Sequence, residues 1–182
     1  MNIREICLDT VHSTHTYAKE HASDFAAQEL TCITAEEQTA GKGQFQRKWI
    51  SPRDVNLYIS FYFQIPPRSP YLTELSSLMI KSIQKVLQRD GVDPKMKWPN
   101  DLLLNGKKIA GALCDTEFHE THIEIILSFG LNVNMEGKDC VLVDQPVTSL
   151  KEETGKSWDK RALLKQIQNQ FILDLAKAQN ET

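Results

Sequence analysis

Long apolar runs are missing from this chain of 182 residues. No stretch approaches the roughly 20 apolar residues that a membrane-spanning helix needs. The first residues, MNIREICLDT, contain Arg4, Glu5 and Asp9 where a signal peptide would have an apolar segment. We therefore expect no contact with a membrane and a cytoplasmic location.

Cysteine is scarce, and positive charge is not in excess. The four cysteines Cys7, Cys32, Cys114 and Cys140 include no Cys-x-x-Cys pair, which argues against a zinc site. Without a secretory signal they are expected to be reduced thiols, and three of them lie in apolar, strand-like runs where a buried structural thiol is favoured. The net charge of −3 excludes a general nucleic-acid-binding surface.

The length is that of one domain with a real core. Strands are predicted over EICL, ELTCITAEE, VNLYISFYF and THIEIILSFG, because β-branched and aromatic residues dominate there. Ser13 and Thr14 are good N-cap residues for a short helix. Helical periodicity marks YLTELSSLMIKSIQKVLQRDG, with Gly91 as its C′ residue, and DKRALLKQIQNQFILDLAKA. Irregularly inserted helices predict an α+β domain with a mixed or largely antiparallel sheet.

The segment QTAGKGQFQRKWISPRD, residues 38–54, is a long polar loop, and such loops are usually functional or disordered. It lacks the order of a P-loop. Its glycines, cations and indole suit a nucleotide phosphate and base: Gly41, Gly43, Lys42, Arg47, Lys48 and Trp49. The alternative is a solvated basic loop, and this stretch alone favours that alternative.

The segment KWPNDLLLNGKKIAGAL, residues 97–113, contains the strongest hairpin signal in the chain. Asn105-Gly106 suits a type I′ turn, and a register centred there pairs Lys107 with Leu104 and Lys108 with Leu103. The preceding turn presents Asn100 and Asp101 together, a pair that suits Mg²⁺ beside phosphate oxygens. The alternative is an ordinary hairpin with exposed lysines near its turn.

Two further patterns carry less weight. His119 and His122 lack the spacing of a helical zinc site and lead into a strand, so a surface loop is the favoured interpretation. Ser13 has no obvious general base, and the absence of a Gly-x-Ser-x-Gly elbow argues against a serine hydrolase.

An ordered set of motifs nevertheless resembles one known family. The set is Ser13-Thr14, AEEQTAGKGQFQRKWISP at 35–52, NLYIS at 56–60, KWPNDLLLNGKKIAGAL at 97–113 and GLNVN at 130–134. It is similar to the catalytic domain of biotin protein ligases, also called biotin–[acetyl-CoA-carboxylase] ligases. The resemblance covers essentially the whole chain, 1–182, and KWPND followed by GKKIAG is its strongest part.

The resemblance implies a two-step reaction. Biotin and MgATP give biotinyl-5′-adenylate and pyrophosphate, and a lysine of the biotin carboxyl carrier protein of acetyl-CoA carboxylase then takes the biotinyl group and releases AMP. It also implies an α+β fold with a mixed sheet and helices packed on one side. We expect one catalytic domain over 1–182, without the N-terminal DNA-binding domain or the C-terminal β-barrel of many members. A homodimer is left open.

The resemblance assigns roles residue by residue. The biotin-binding set would be Ser13, Thr14, His15, Gln38, Gly41, Lys42, Gly43, Gln44, Lys108 and Gly111. The ATP-binding set would be Lys42, Arg47, Trp49, Lys97, Asn100, Lys108 and Asn132. The catalytic set would be Lys108, Asp101, Lys97 and Arg47, with Mg²⁺ held through phosphates and Asp101 as its candidate protein ligand. The physical reason is that cations near the hairpin lower the repulsion between a carboxylate and a triphosphate.

The sequence departs from the family pattern at three positions. In the loop, Gln44 replaces an arginine and Gln46 replaces a glycine, and both changes affect how the loop binds the adenylate. His15 stands where asparagine is common. Two other functions compete with the implied one: a lipoate–protein ligase on a similar fold, and a non-catalytic biotin-binding domain.

Overall fold

A computed structural model describes residues 2–140 and 145–180, and also leaves aside the side chains of Gln46, Lys138 and Cys140. This part of the chain forms one sheet of seven strands in the order β1-β2-β3-β7-β6-β5-β4. β1 and β2 are parallel, and every other neighbouring pair is antiparallel. The strands are β1 Asn2–Val11, β2 Glu29–Gln38, β3 Leu57–Ile65, β4 Lys95–Lys97, β5 Asp101–Leu104, β6 Lys107–Phe118 and β7 Ile123–Leu131.

The helices connect and cover these strands. They are α1 Thr14–Glu20, α2 Leu75–Arg89, α3 Gly137–Cys140, α4 Leu150–Thr154 and α5 Lys160–Asn180, with short 3₁₀ turns at Ala22–Asp24, Gln44–Gln46 and Leu72–Glu74. Ser13 caps α1 as expected, and Gly91, at φ 81°, follows the end of α2. Among the described helices, none combines the length and apolar character that crossing a lipid bilayer requires.

The main core lies between the sheet and the two long helices. Alternate residues of β3 and β7, including Phe61, Phe63 and Leu127, point toward α2 and α5, and Phe171 of α5 stacks on Phe61 with ring centroids 5.5 Å apart. The two long helices therefore share one side of the sheet, as predicted. Asp174 of α5 links the two helices by accepting hydrogen bonds from Ser82 (2.8 Å) and Lys85 (2.7 Å) of α2.

The short helix α1 differs from this expectation, because it packs on the opposite face. Its Ala18 joins a second, smaller apolar cluster with Ile33, Tyr62 and Ile126. These strand residues alternate with those of the main core, and successive strand side chains point to opposite faces. Among residues 2–140 and 145–180, the two long helices thus cover one face of the sheet, and α1 with the connecting loops covers the other.

The predicted hairpin register is confirmed. Leu104 pairs with Lys107 and Leu103 with Lys108, while Asn105 (φ 51°) and Gly106 (φ 79°) both have the positive φ of a type I′ turn. A bulge then shifts the register between Leu102 and Leu103, so that Asp101 lies opposite Gly111. The first strand is longer than predicted: the sequence predicted only EICL, whereas β1 runs from Asn2 to Val11.

The expectation for the cysteines holds in part. Cys32 is a buried free thiol whose pKa burial raises to about 12, and burial likewise raises the pKa of the half-buried Cys114 to about 12. Cys7 is exposed, so its prediction as a buried thiol was wrong. The reason is that β1 is the edge strand of the sheet, and little covers its side chains. Cys140 lies outside the described side chains.

Candidate functional site

The face of the sheet that carries α1 has a trough of small residues. Gly130 of β7 pairs with Gly111 of β6, and Gly111 pairs in turn with Asp101 of β5. One step along the strands, Ser60 of β3 pairs with Ser128 of β7. Two adjacent glycines followed by two adjacent serines leave the middle of the sheet without large side chains, so a ligand can lie directly on the strands.

One end of this trough is closed by polar side chains of α1 and β2. Ser13, Thr14 and Gln38 line the cavity there, and its floor includes Ser128 and Gly130. Gln38 accepts hydrogen bonds from the backbone N–H (2.9 Å) and the hydroxyl (3.2 Å) of Thr14. The end of the pocket is thus a set of hydrogen-bonding groups, buried at Ser13 and Thr14 and half-buried at Gln38, of the kind that fixes the orientation of a bound small molecule.

The hydrogen bonds continue from Thr14 across the sheet. The Ser60 hydroxyl lies 2.9 Å from Thr14 Oγ1 and 2.7 Å from Ser128 Oγ, and Ser128 Oγ lies 2.8 Å from His15 Nδ1. The other ring nitrogen of His15 is 3.1 Å from Asp115 Oδ2. His15 is only 4% exposed, and burial lowers its pKa below the ordinary value, although Asp115 raises it.

The polar loop folds over the trough. Trp49 N–H donates to Gly41 O (2.9 Å) and Gly43 N–H donates to Arg47 O (2.8 Å), which closes the loop into a narrow hairpin. The Trp49 indole then lies on Gly130, where an added Cβ would come within 2.6 Å of ring atom Cζ2. Gly41 is needed for the same closure, because a Cβ there would lie 2.7 Å from Ser51 Oγ.

The other end of the trough carries an ion pair. Lys108 Nζ lies 2.7 Å from Asp101 Oδ1, and both side chains are largely buried. The ammonium also lies 5.4 Å from the centre of the Trp49 ring. Gly111 makes room for this pair, because a Cβ there would come within 3.0 Å of Lys108 Cε and 3.3 Å of Asp101 Oδ1.

A second cavity, of about 600 Å³, opens from the ion pair under the loop. Arg47, Lys48 and Lys108 give it positive charge, and Trp49 forms part of its wall. Phe45, at the tip of the loop, is 87% exposed and has a positive φ of 55°. Lys108 lines both this cavity and the polar-ended pocket, so it stands where their contents would meet.

Most of the predicted site residues are brought together around these two cavities. The residues that line at least one of them are Ser13, Thr14, His15, Gln38, Lys42, Gly43, Gln44, Arg47, Trp49, Asn100, Asp101, Lys108 and Gly111. Gly41 lines the adjoining space on the outer side of the loop. Asn100 also donates to Ala112 O (2.7 Å), which ties the KWPND turn to β6.

Two predicted residues lie apart from the cavities. Asn132 is buried and donates to Thr148 O (3.0 Å), an internal bond that fixes the chain after β7. Lys97 is exposed on β4, paired in register with Asp101. Their roles toward a nucleotide stay predictions.

Sequence reasoning missed Ser60, Ser128, Asp115 and Ser51. All four act through a partner that is distant in sequence, such as Asp115 with His15 and Ser51 with Gln38 (2.8 Å). A serine inside an apolar strand is the one signal that was present, because such a residue interrupts the pattern at Ser60 and Ser128.

The histidines of the β6–β7 turn form a separate surface cluster. The Nε2 atoms of His119 and His122 lie 3.7 and 3.6 Å from Glu124 Oε1. However, their rings are stacked with planes only 12° apart. An imidazole lone pair lies in the ring plane, so the two nitrogens do not converge on one point. The arrangement is not a preformed metal site.

The fold and the site together define a class of protein: an α+β domain with a trough on the α1 face of its sheet, closed at one end by polar groups and carrying the Lys108–Asp101 pair at the other. A profile of the biotin/lipoate A/B protein ligase family matches residues 7–132. The chain belongs to this family.

Individual relatives agree with this assignment. The bifunctional ligase/repressor BirA of Bacillus spizizenii is 32% identical over 164 residues, covering 87% of this chain and 50% of its own length. The biotin–[acetyl-CoA-carboxylase] ligase of Paracoccus denitrificans is 28% identical over 139 residues, covering 72% and 57%. Among solved structures, the biotin protein ligase of Aquifex aeolicus, in complex with biotin and ATP, matches with a TM-score of 0.80 and 28% identity over 98% of this chain and 73% of its own. The chain spans about half the length of the first of these relatives.

Proposed function

We propose that this protein is a biotin protein ligase, which activates biotin as biotinyl-5′-adenylate and transfers it to a lysine of a carrier protein. The observation that carries the proposal is the position of Lys108. Its ammonium lies at the junction of a polar-ended pocket and a cation-lined cavity. Such a junction suits the meeting of a carboxylate and a phosphate.

Biotin has a polar cyclic urea at one end and a carboxylate at the other. Its ureido ring would occupy the closed end of the trough, where Ser13, Thr14 and Gln38 offer donors and acceptors. Its carboxylate would then extend over Gly130 and Gly111 toward Lys108. The Aquifex aeolicus relative, which was solved with biotin and ATP, supports these two ligands for the present chain.

ATP would occupy the cavity beneath the loop. Arg47, which lines this cavity, and Lys42, which lines the adjoining pocket, would meet the phosphates. Asn100 would help to bind the nucleotide, and the face of Trp49 would cover the adenine side. Mg²⁺ usually takes one or two carboxylates together with phosphate oxygens. Asp101 is an acidic side chain at the edge of this cavity, so it fits that requirement and would hold the ion jointly with ATP. The ion would neutralise phosphate charge.

Two displacements make up the reaction. In the first, a biotin carboxylate oxygen attacks the α-phosphorus, an acyl phosphate bond forms, and pyrophosphate leaves. Lys108 lowers the repulsion between the two anions and stabilises the charge that develops at the α-phosphate. In the second, the carrier lysine attacks the acyl carbon, an amide forms, and AMP leaves. Asp101 would orient the incoming ammonium and take up its proton.

The carrier is proposed to be the biotin carboxyl carrier protein of acetyl-CoA carboxylase. The name of the Paracoccus denitrificans relative supports this choice. A cytoplasmic location is proposed with it, supported by the free thiols of Cys32 and Cys114 and by the need for ATP. The homodimer stays a prediction.

The test is incubation with biotin, MgATP and a carrier domain, followed by mass spectrometry of the carrier and assay of pyrophosphate. Lipoate replaces biotin in a parallel reaction. We expect a biotinylated carrier and little lipoylation. Lys108→Ala should lower pyrophosphate release about a hundredfold or more, because removing one charge-stabilising donor costs roughly 2.7–4 kcal/mol.

Lys107→Ala is the matched control. The neighbouring Lys107 is exposed and pairs with Glu153 at 3.3 Å, away from the trough. It should therefore keep normal pyrophosphate release. Transfer of lipoate in preference to biotin would refute the substrate. Binding of biotin without any pyrophosphate release would indicate a non-catalytic domain instead.

A further inference from the structure

The hydrogen bonds at the closed end of the trough form one continuous hydroxyl chain, which we define as Gln38, Thr14, Ser60, Ser128 and His15. At one end of this chain, the backbone N–H of Thr14 determines which way the Gln38 amide is oriented. The backbone N–H of Thr14 can only donate, so the Gln38 atom that it meets at 2.9 Å is the oxygen. The Gln38 amide nitrogen then donates to Ser51 Oγ at 2.8 Å, and the Ser51 hydroxyl donates to Trp49 O.

The protons along this chain can be counted. Five contacts need one hydrogen each: Gln38–Thr14 (3.2 Å), Thr14–Ser60 (2.9 Å), Ser60–Ser128 (2.7 Å), Ser128–His15 (2.8 Å) and His15–Asp115 (3.1 Å). The three hydroxyls supply one proton each. A neutral imidazole supplies one more and an imidazolium supplies two. Only protonated His15 therefore satisfies every contact, and neutral His15 leaves one contact without a hydrogen.

The missing hydrogen falls at the contact between Gln38 and the Thr14 hydroxyl, because at 3.2 Å it is the longest of the four hydroxyl contacts and Gln38 Oε1 keeps the Thr14 backbone N–H as a donor. Neutral His15 keeps its proton on Nε2, because a hydrogen bond to the Asp115 carboxylate is charge-assisted and stronger than one to a neutral group. The hydroxyls then all donate toward His15, and Thr14 turns its proton from Gln38 to Ser60. Gln38 Oε1 keeps only the Thr14 backbone N–H and has a lone pair to spare. When His15 is protonated, the hydroxyls point the other way and both lone pairs are used.

We propose that the proton on His15 decides whether Gln38 can accept an N–H from a ligand. The pocket would bind a ring with N–H donors, such as the cyclic urea of biotin, when His15 is neutral, and would release it when His15 is protonated. The proposal rests on the proposed function for its choice of ligand. The dithiolane ring of lipoate has no N–H and would gain nothing from the spare lone pair. His15 is thus a positioning residue that acts through Ser128, Ser60 and Thr14.

The charged groups around His15 determine the pH at which the ring takes up its second proton. Asp115 of β6 faces Nε2, Lys19 of α1 lies 3.8 Å from that carboxylate, and Lys42 approaches from the loop. Burial lowers the pKa of His15 and the two lysines add to this, while Asp115 raises it, and the net effect is a pKa below the ordinary value of histidine. His15 is accordingly neutral near pH 7, and biotin affinity should be lost as the pH falls through its pKa.

The first experiment measures the dissociation constant of biotin by calorimetry from about pH 5 to about pH 8. It should rise roughly tenfold for each pH unit below the His15 pKa, since only the neutral fraction binds. His15→Asn cannot titrate, and its affinity should not follow this slope. His122→Asn, on the distant β6–β7 turn, is the matched control and should behave like the unchanged protein. A flat profile for the unchanged protein, or the same slope in His15→Asn, would overturn the proposal.

The second experiment needs no ligand. The His15 pKa is measured by NMR in the unchanged protein and in Ser60→Ala, which removes two contacts and one proton from the chain. Neutral His15 then satisfies every contact that remains, so the pKa should fall although Ser60 does not touch the ring. A second variant is Asp115→Asn, which should fold even if Ser60→Ala does not, because the Asp115 side chain is half-exposed. It should also lower the pKa of His15, because the neighbouring negative charge is gone.

Together, the two experiments distinguish a failure of the proposed function from a failure of the hydroxyl-chain proposal. If biotin binds at no pH, the proposed function fails, and the NMR titration still decides whether the hydroxyl chain responds to His15. An unchanged His15 pKa in folded Ser60→Ala would contradict the chain whether or not biotin binds.

Discussion

The indole ring of Trp49 lies directly on the backbone of Gly130, so that a loop residue forms the roof of a trough whose floor is the centre of the sheet. The contact depends on the missing side chain at Gly130. Both residues line the polar-ended pocket, and Trp49 also lines the cavity assigned to ATP. The position of the loop and the shape of both cavities are therefore linked through this one contact.

Gly130→Ala should expel Trp49 from the trough. The added methyl group would lie 2.6 Å from ring atom Cζ2, and the strand cannot move away because β7 is paired on both sides. The loop can move instead, so we expect a small change in Tm but pyrophosphate release about a hundredfold slower. Trp49 fluorescence and a pyrophosphate assay measure the two effects. Gly137→Ala is the control, because a Cβ there meets nothing within 4 Å. Normal rate and fluorescence in Gly130→Ala would contradict the roof assignment.

Gly111→Ala should displace the Lys108–Asp101 ion pair at the other end of the trough. Its methyl group would lie 3.0 Å from Lys108 Cε and 3.3 Å from Asp101 Oδ1, so the flexible lysine has to shift. Because misplacement by about 1 Å can cost two orders of magnitude in rate, we expect adenylate formation to fall by about that factor while the protein stays folded. Single-turnover kinetics with biotin and MgATP measure it. A rate equal to that of the unchanged protein would mean that Lys108 need not occupy its observed position.

Under the proposed function, the protein should release biotinyl-adenylate more readily than a Gln44→Arg variant does. Gln44 lines both cavities, and an arginine there would add a charged, bidentate donor near the adenylate phosphate. The difference between a charged and a neutral hydrogen bond is on the order of 1 kcal/mol, which corresponds to a several-fold change in dissociation. The measurement is biotin transfer to serum albumin at equal carrier turnover. Equal labelling by both forms would show that Lys42 or Lys48 already compensates.

Asp174 should contribute to stability only above acidic pH. Burial raises the pKa of this carboxyl, but hydrogen bonds from Lys85, Gln170 and Ser82 outweigh that effect and hold the pKa below its ordinary value. A group with a lowered folded-state pKa stabilises the fold above its unfolded-state pKa and loses that contribution as the pH falls through the folded-state value. Asp174→Asn should therefore lower the unfolding free energy by about 1–3 kcal/mol at pH 7 and by progressively less below about pH 4. Urea unfolding at several pH values tests this. A constant deficit across that range would mean that packing, not charge, is responsible.

The sequence by itself determined the features that depend on neighbours along the chain. Asn105-Gly106 fixed the hairpin register and brought Lys108 back beside Asp101, because the turn type specifies which residues face each other. Apolar periodicity located α2 and α5, and Ser13 located the start of α1. The motifs of the loop and of KWPND were sufficient to assign the family and most of the residues around the two cavities.

The tertiary structure decided what depends on strand order. Gly130 and Gly111, like Ser60 and Ser128, become neighbours only because β3, β7 and β6 are adjacent in the sheet. The bulge in β5–β6 puts Asp101 opposite Gly111, and Asp115 reaches His15 across the same face. These relationships join residues as far as 113 positions apart, as for His15 and Ser128. No local preference encodes such a pairing, because it follows from how the whole chain buries its two apolar surfaces.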